Sequence, residues 1–399
     1  MTLIHPRSLE RWQEWRGSRS RTDAARAAVA GLVRSARPGK AARTARESTG
    51  AAASSLVLHS RSGEGSGRIL VGVDSATAAA RDALLTALPY LHVPVDVLAP
   101  ASIELPELAG TDWERENLPA ARAGLEGRGI TSAITLGWHL PVGRLVHEWA
   151  LEADVPSAVV QHTAVTPYTP PLPPQTTLLA WSDADAEFHR SGRDDLEVRT
   201  VGSQWLWQAA HDVAGPAGPG HATAGPGRAT AGPGHAIAGT GPAPDEAGTA
   251  AGETDPSDER PVFLGQLDAL ELPRRVTAGA AYSVCRSAGA SYRPGPGERD
   301  PVARGVHTVL RRRGIDLEDP AATVAELGRP VVSVFSPEVL EAAVRGLPAW
   351  VHAPRAPSWV HEYWERYGMR RAGGPATPAP PVAADEPARL IAQILEGGA

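Results

Sequence analysis

From residue 68 onward, apolar runs of strand length alternate with stretches whose apolar residues recur at helical spacing. Residues 68–74 are expected as a strand, 75–91 as a helix, 95–98 as a strand and 113–127 as a helix. The rhythm continues with strands at 132–136, 157–161, 177–181 and 198–201 and helices at 142–153 and 183–191. A second block runs from a strand at 262–265 through a helix at 273–289, a strand at 291–293 and helices at 298–314 and 321–327. Strands that alternate with helices of this length predict parallel sheets covered on both faces, joined by right-handed crossovers.

The second block ends in the segment 330–348. Val331 to Phe335 is a β-branched and aromatic run suited to a buried strand. Ser336 then suits an N-cap, Pro337 the first helical position, and Glu338 the positive end of the helix. Free N–H groups at such a helix start hold a diphosphate, and Glu341, five positions after Ser336, is a candidate acceptor for a ribose diol. The structural alternative is a capped helix carrying an ordinary surface glutamate.

The two blocks are separated by a marked interruption. The heptapeptides that start at Ala217, Ala224 and Ala231 repeat Ala-Gly-Pro-Gly, and an acidic tract follows over 245–259. Its Gly and Pro content excludes a helix, and its scarcity of large apolar residues predicts disorder over 214–259. His221 and His235 have no companion ligands, so no metal site is read there.

Charge is distributed unevenly. Residues 1–50 hold 11 Arg/Lys against 4 Asp/Glu, a balance of +7, so with the whole chain at −6 the remaining residues sum to −13. Segments such as Arg11 to Arg16 are read either as Arg-rich helices that meet an anionic membrane or RNA, or as a solvated helical arm packed on the core. The single cysteine, Cys285, excludes an internal disulfide and suits a reducing compartment. There is neither an N-terminal apolar signal region nor an apolar run of membrane-spanning length, so a cytoplasmic protein is expected, with peripheral contact at the inner membrane face left open.

In facing parallel sheets, function gathers where strands end. His162 follows the buried run 157–160 and is a candidate general base on a hydroxyl or a group that steadies a phosphate; a backbone-satisfied histidine is the alternative. Asp74 leaves the first strand as a second candidate base, or as a helix cap. His139, in Gly137-Trp-His139, stands at a third strand exit. Aromatic residues from Trp350 to Tyr367 are read as domain packing or as sugar-stacking groups.

The order of Gln161-His162, Thr177 to Ser182 with Val201 to Ser203, Tyr292-Arg-Pro-Gly-Pro-Gly-Glu298, and Phe335-Ser336 followed by Glu341 and Gly346 to Pro348 resembles GT-B-type glycosyltransferases. Within them it is most similar to the capsule-polysaccharide, polysialyltransferase and CDP-glycerol glycerophosphotransferase group, over roughly 68–212 and 260–370. The resemblance implies an acceptor domain followed by a nucleotide-donor domain, and no obligatory metal. It also implies His-Gly and His-Pro motifs that handle base and phosphate chemistry. Two positions depart from it: His162 is followed by Thr163 where the motif has glycine, and Gly295-Pro296 stands where it has His-Pro. The second departure removes an imidazole and leaves Arg293, the helix start at Ser336 and Arg304 as sources of positive charge. Arg293 is alternatively an ion-pair partner of Glu298.

The resulting expectation is an α/β protein with two Rossmann-like domains facing across a cleft. A basic helical arm covers 1–67, the acceptor domain 68–213, the insertion 214–259, the donor domain 260–383 and a closing helix 384–399. The expected activity is cofactor-free and metal-free transfer of a sugar or polyol-phosphate from a nucleotide-activated donor to a cell-envelope glycan, a lipid-linked acceptor or a similar hydroxyl. His162 or Asp74 would act as base, with Arg293, Glu298, Ser336, Glu341 and His139 binding substrate. The alternatives are a GT-B-like scaffold without catalysis that binds a nucleotide, RNA or protein, and a nucleotide-sugar epimerase.

Overall fold

A computed structural model describes residues 1–19, 55–118, 122–212 and 260–397. The predicted insertion over 214–259 and most of the basic arm therefore lie outside the described residues. Two Rossmann-like α/β halves face one another across a cleft.

The first half is built on an eight-stranded sheet. Six of its strands run parallel: β2 (Arg68–Gly72), β3 (Val95–Pro100), β5 (Ile130–Thr135), β6 (Ser157–Val160), β7 (Thr177–Ala180) and β8 (Glu197–Thr200), in the order β3-β2-β5-β6-β7-β8. Beyond β3 lie β1 (Leu56–Arg61), antiparallel to it, and the edge strand β4 (Glu114–Leu118), antiparallel to β1. The second half is a parallel sheet ordered β10-β9-β11-β12, from β9 (Val262–Leu264), β10 (Ser291–Arg293), β11 (Val331–Ser333) and β12 (Ala349–Val351). Val331, Val262 and Ala349 stand in register across the middle of this sheet and are fully buried, as strands covered on both faces require.

Helices occupy the expected intervals as α2 (Ala78–Leu84), α3 (Pro141–Glu152) and α4 (Asp183–Arg190) in the first half and α6 (Arg274–Ser287), α7 (Pro301–Arg312), α8 (Val324–Leu327) and α9 (Glu338–Val344) in the second, and each half has one helix beyond those expected, α5 (Gln204–Asp212) and α10 (Ser358–Arg366). A helix over 9–19, here α1, precedes them. The closing helix α11 (Pro387–Glu396) returns to the first sheet, where Ala388, Ile391, Ala392 and Leu395 pack with Val71, Val97 and Ile134.

Three elements differ from the sequence reading. The helix expected over 113–127 is the edge strand β4 followed by a short turn of 3-10 helix, because Glu114 to Glu116 pair with β1 while their side chains stay in water. The arm expected to remain helical to 67 contains β1, whose Leu56, Val57 and Leu58 are buried. The helix expected over 75–91 is α-helical only to Leu84 and continues as 3-10 helix around Pro89.

Candidate active site

The exits of β5, β6, β9, β10 and β11 open on one cleft of about 690 Å³ between the halves. Leu136 and His139 reach it from β5, His162 and Thr163 from β6, Gln266 and Asp268 from β9, Arg293 and Gly295 from β10, and Phe335 to Glu338 from β11. Five strands therefore deliver their C-terminal ends to one cavity, the place where open parallel sheets hold ligands.

On the first-half wall, burial lowers the His162 imidazole to about 4, against a raising backbone hydrogen bond to Val160. His139 is lowered to about 4 by burial, then by His162 and Arg16. A third histidine on the lining, His189 of α4, is lowered to about 3 by burial, then by Arg366 and His162, and neither of its nitrogens has a hydrogen-bond partner among the described residues. All three rings are thus neutral at pH 7. Thr163 is not among the described residues with positive φ, so replacing the motif's glycine imposes no left-handed strain there.

Arg293, 3% exposed, reaches the cleft from the second half. It pairs with Glu338 and donates to the Ala322 carbonyl at 2.8 Å, and its Nε has no partner among the described residues. Its ion partner is therefore Glu338, not Glu298. Ser336 lines the cleft and donates to Glu338 Oε2 at 3.1 Å. Gly295 has no room for an imidazole: a Cβ there would lie 2.9 Å from the Gly265 carbonyl and 3.1 Å from Asp268 Oδ1.

Five roles expected from the sequence need correction. Asp74 accepts from the N–H groups of Val142 at 2.7 Å and Gly143 at 2.6 Å, so both oxygens cap α3, and it does not line the cleft. Glu298 is buried outside the cavity lining, where it accepts from the Leu267 N–H at 2.8 Å and the Tyr292 hydroxyl and meets His307 Nε2 at 2.7 Å. Glu341 turns away from the cleft and accepts from Arg345 Nε at 2.9 Å, because α9 begins at Glu338 and presents that residue to the cavity instead. The start of α9 is also internally satisfied. Ser336 takes the Glu338 and Val339 N–H groups, and the Pro337 carbonyl takes those of Leu340 and Glu341. Arg304 is exposed on α7 and does not line the cavity.

The sequence reading missed the carboxylates Asp268 and Glu271, both raised above the usual range, chiefly by burial. It also missed Trp12, Trp15 and Arg16 of α1, which form part of the cleft wall. Asp268 had a local signal in Gly295 and Gly297. A Cβ at Gly297 would fall 2.0 Å from Asp268 Oδ2, so these glycines let the carboxylate lie against the backbone. Among the described residues, no group of three or more His, Cys, Asp or Glu side chains is placed to hold a metal ion. None of the described helices is long and apolar enough to cross a membrane.

No protein-family model matches the chain, and no curated protein matches it. Among solved structures, HepE of Anabaena in complex with UDP-glucose is similar over 82% of this chain and 95% of its own, at 12% identity and a TM-score of 0.40. The same protein in complex with UDP has the same coverage, 12% identity and a TM-score of 0.38, and with UDP and glucose 11% identity and 0.40.

Proposed function

We propose that the cleft is the active site of a GT-B-type transferase, which moves a sugar from a nucleotide-activated donor to a hydroxyl acceptor. The observation that carries this reading is the convergence of five strand exits, from the parallel strands of two sheets, on one cavity lined by ionisable groups of both halves. His162 serves as the base from its place on the cleft wall at the β6 exit, where burial leaves its imidazole unprotonated at pH 7. Arg293 serves the diphosphate, with its unpartnered Nε on the same wall as Ser336. The acceptor hydroxyl gives its proton to His162 as its oxygen bonds to the anomeric carbon. The bond from that carbon to the diphosphate oxygen breaks, and the nucleoside diphosphate leaves with the electron pair.

A polyol-phosphate donor and a cell-envelope acceptor belong to the same proposal. A binding scaffold without turnover is the second reading, favoured by the Arg293–Glu338 pair, which ties up the main cation that the second half brings to the cleft. Incubating the full chain with a panel of nucleotide-sugars and hydroxyl acceptors, and following free nucleoside diphosphate, separates the two. Acceptor-dependent release that is lost in His162→Ala supports transfer. Saturable nucleotide binding with no release from any donor leaves the scaffold.

A further inference from the structure

The N-terminal segment crosses from one half to the other and becomes a wall of the cleft. The Met1 amino group pairs with Glu362 at 2.8 Å in the second half, while the Ile4 N–H donates to the Pro167 carbonyl at 2.9 Å and Arg7 to the Gly192 carbonyl at 2.8 Å in the first. These anchors deliver α1 to the cavity. Trp12 is buried, donates through Nε1 to the Tyr168 carbonyl at 2.6 Å and meets the His139 ring edge-on at 5.6 Å. Trp15 stacks on the Tyr168 ring at 4.7 Å and 16°, and both rings line the cleft. Arg16 lies over Trp12 at 5.2 Å and acts electrostatically on both His139 and Glu271, so α1 bridges the histidine wall and the carboxylate wall.

We propose that α1 completes the acceptor subsite, and that the acceptor is an uncharged glycan whose pyranose ring lies on the Trp15–Tyr168 pair while its hydroxyls donate to Asp268 and Glu271. This rests on the transferase reading above and names its acceptor class. Trp15 and Tyr168 cover one face of each other, so the sugar ring would lie with its C–H face on an outer face of the pair, and carboxylates are acceptor-only groups suited to hydroxyl donors. Charge decides between glycan classes. The lining carries the three carboxylates Asp268, Glu271 and Glu338 against the two guanidiniums Arg16 and Arg293, and its histidines are neutral. With Arg293 engaged by Glu338, the acceptor side keeps two carboxylates against Arg16, which repels a polyanionic chain and tolerates a neutral one.

Saturation-transfer NMR on the full chain tests this, with neutral gluco-oligosaccharides and a uronic-acid oligosaccharide as probes and a parallel thermal-shift titration with nucleoside diphosphates. Transfer to the neutral sugars and none to the uronate is expected. Trp15→Ala should weaken sugar binding by about fivefold or more, the loss of one stacking face, while the nucleotide-induced shift stays at the wild-type value. Trp15→Phe, which keeps an aromatic face, should retain most of the binding and guards against a variant that merely detaches α1. The inference is overturned if Trp15→Ala binds sugar as wild type does, if the uronate is preferred, or if nucleotides bind and no saccharide does. Absence of nucleotide binding alongside intact sugar binding would count against the transferase reading and leave the subsite standing.

Discussion

The Tyr367 hydroxyl donates to Asp185 Oδ1 at 2.6 Å, joining the segment after α10 in the second half to helix α4 in the first. The hydroxyl oxygen also accepts from the Val165 N–H at 2.8 Å, and the other Asp185 oxygen accepts from Gln161 Nε2 at 3.1 Å. Gln161 directly precedes His162, so this chain of bonds fixes the strand exit that carries the proposed base. Tyr367→Phe leaves a buried N–H and a buried carboxylate oxygen each short of a partner. A loss of about 1–3 kcal/mol is expected, read as a lower denaturant midpoint with the slope unchanged.

The close approach of Asp268 to the 295–297 loop makes a second prediction. Gly297→Ala places a methyl 2.0 Å from Asp268 Oδ2 and 2.9 Å from its Cγ, so the carboxylate or the loop must move. We expect a loss of about 1–3 kcal/mol, the usual cost of overpacking. Pairing the change with Asp268→Ala should recover most of it, as a double-mutant cycle followed by chemical denaturation would measure.

In the proposed donor site, Glu338 would compete with a diphosphate for Arg293. Glu338→Gln keeps the side chain's shape and its contact with Ser336 but removes the opposing charge. Nucleoside diphosphates should then bind roughly five- to tenfold more tightly, an effect that shrinks as salt rises. Unchanged affinity in isothermal titration would remove Arg293 from the donor site.

Buried neutral histidines make the fold sensitive to acid. His147 meets Thr135 Oγ1 at 2.7 Å and Ser157 Oγ at 3.0 Å, and burial lowers it from 6.5 to about 3; His189 is lowered by a similar amount. Because their folded values lie below the unfolded one, their stabilisation is complete above pH 6.5 and is lost as pH falls toward 3. Unfolding free energy should therefore drop steeply below pH 6.5. His147→Gln should reduce the slope between pH 5 and 6 by about 1.4 kcal/mol per unit, one proton's worth of linkage. Chemical denaturation across that range checks it.

The alternation of strand and helix is legible in the sequence because central strands such as Val331 to Ser333 are buried on both faces and read as continuous apolar runs. β4 is not, since Glu114-Arg-Glu-Asn at a sheet edge has the polarity of a solvated helix. At the site, His162, His139, Arg293 and Ser336 can be picked out because strand exits are located from periodicity alone. Glu341 and Asp74 have the right chemistry at the right spacing, but orientation decides their roles: α9 starts one residue later than its capping signals suggest, and Glu341 faces Arg345. Trp12, Trp15 and Arg16 reach the cleft only through tertiary docking of a segment about 120 residues or more away from the strand exits they meet, which no local pattern encodes.

The most direct test of the proposed transfer site is calorimetric titration of the full chain with nucleoside diphosphates, beside the variant Arg293→Met, whose fold is checked by circular dichroism. Saturable one-to-one binding of at least one nucleotide is expected, weakened roughly tenfold or more when the guanidinium is removed. Wild-type protein that binds none of them at millimolar concentration, or an Arg293→Met variant that binds as tightly as wild type, would contradict it.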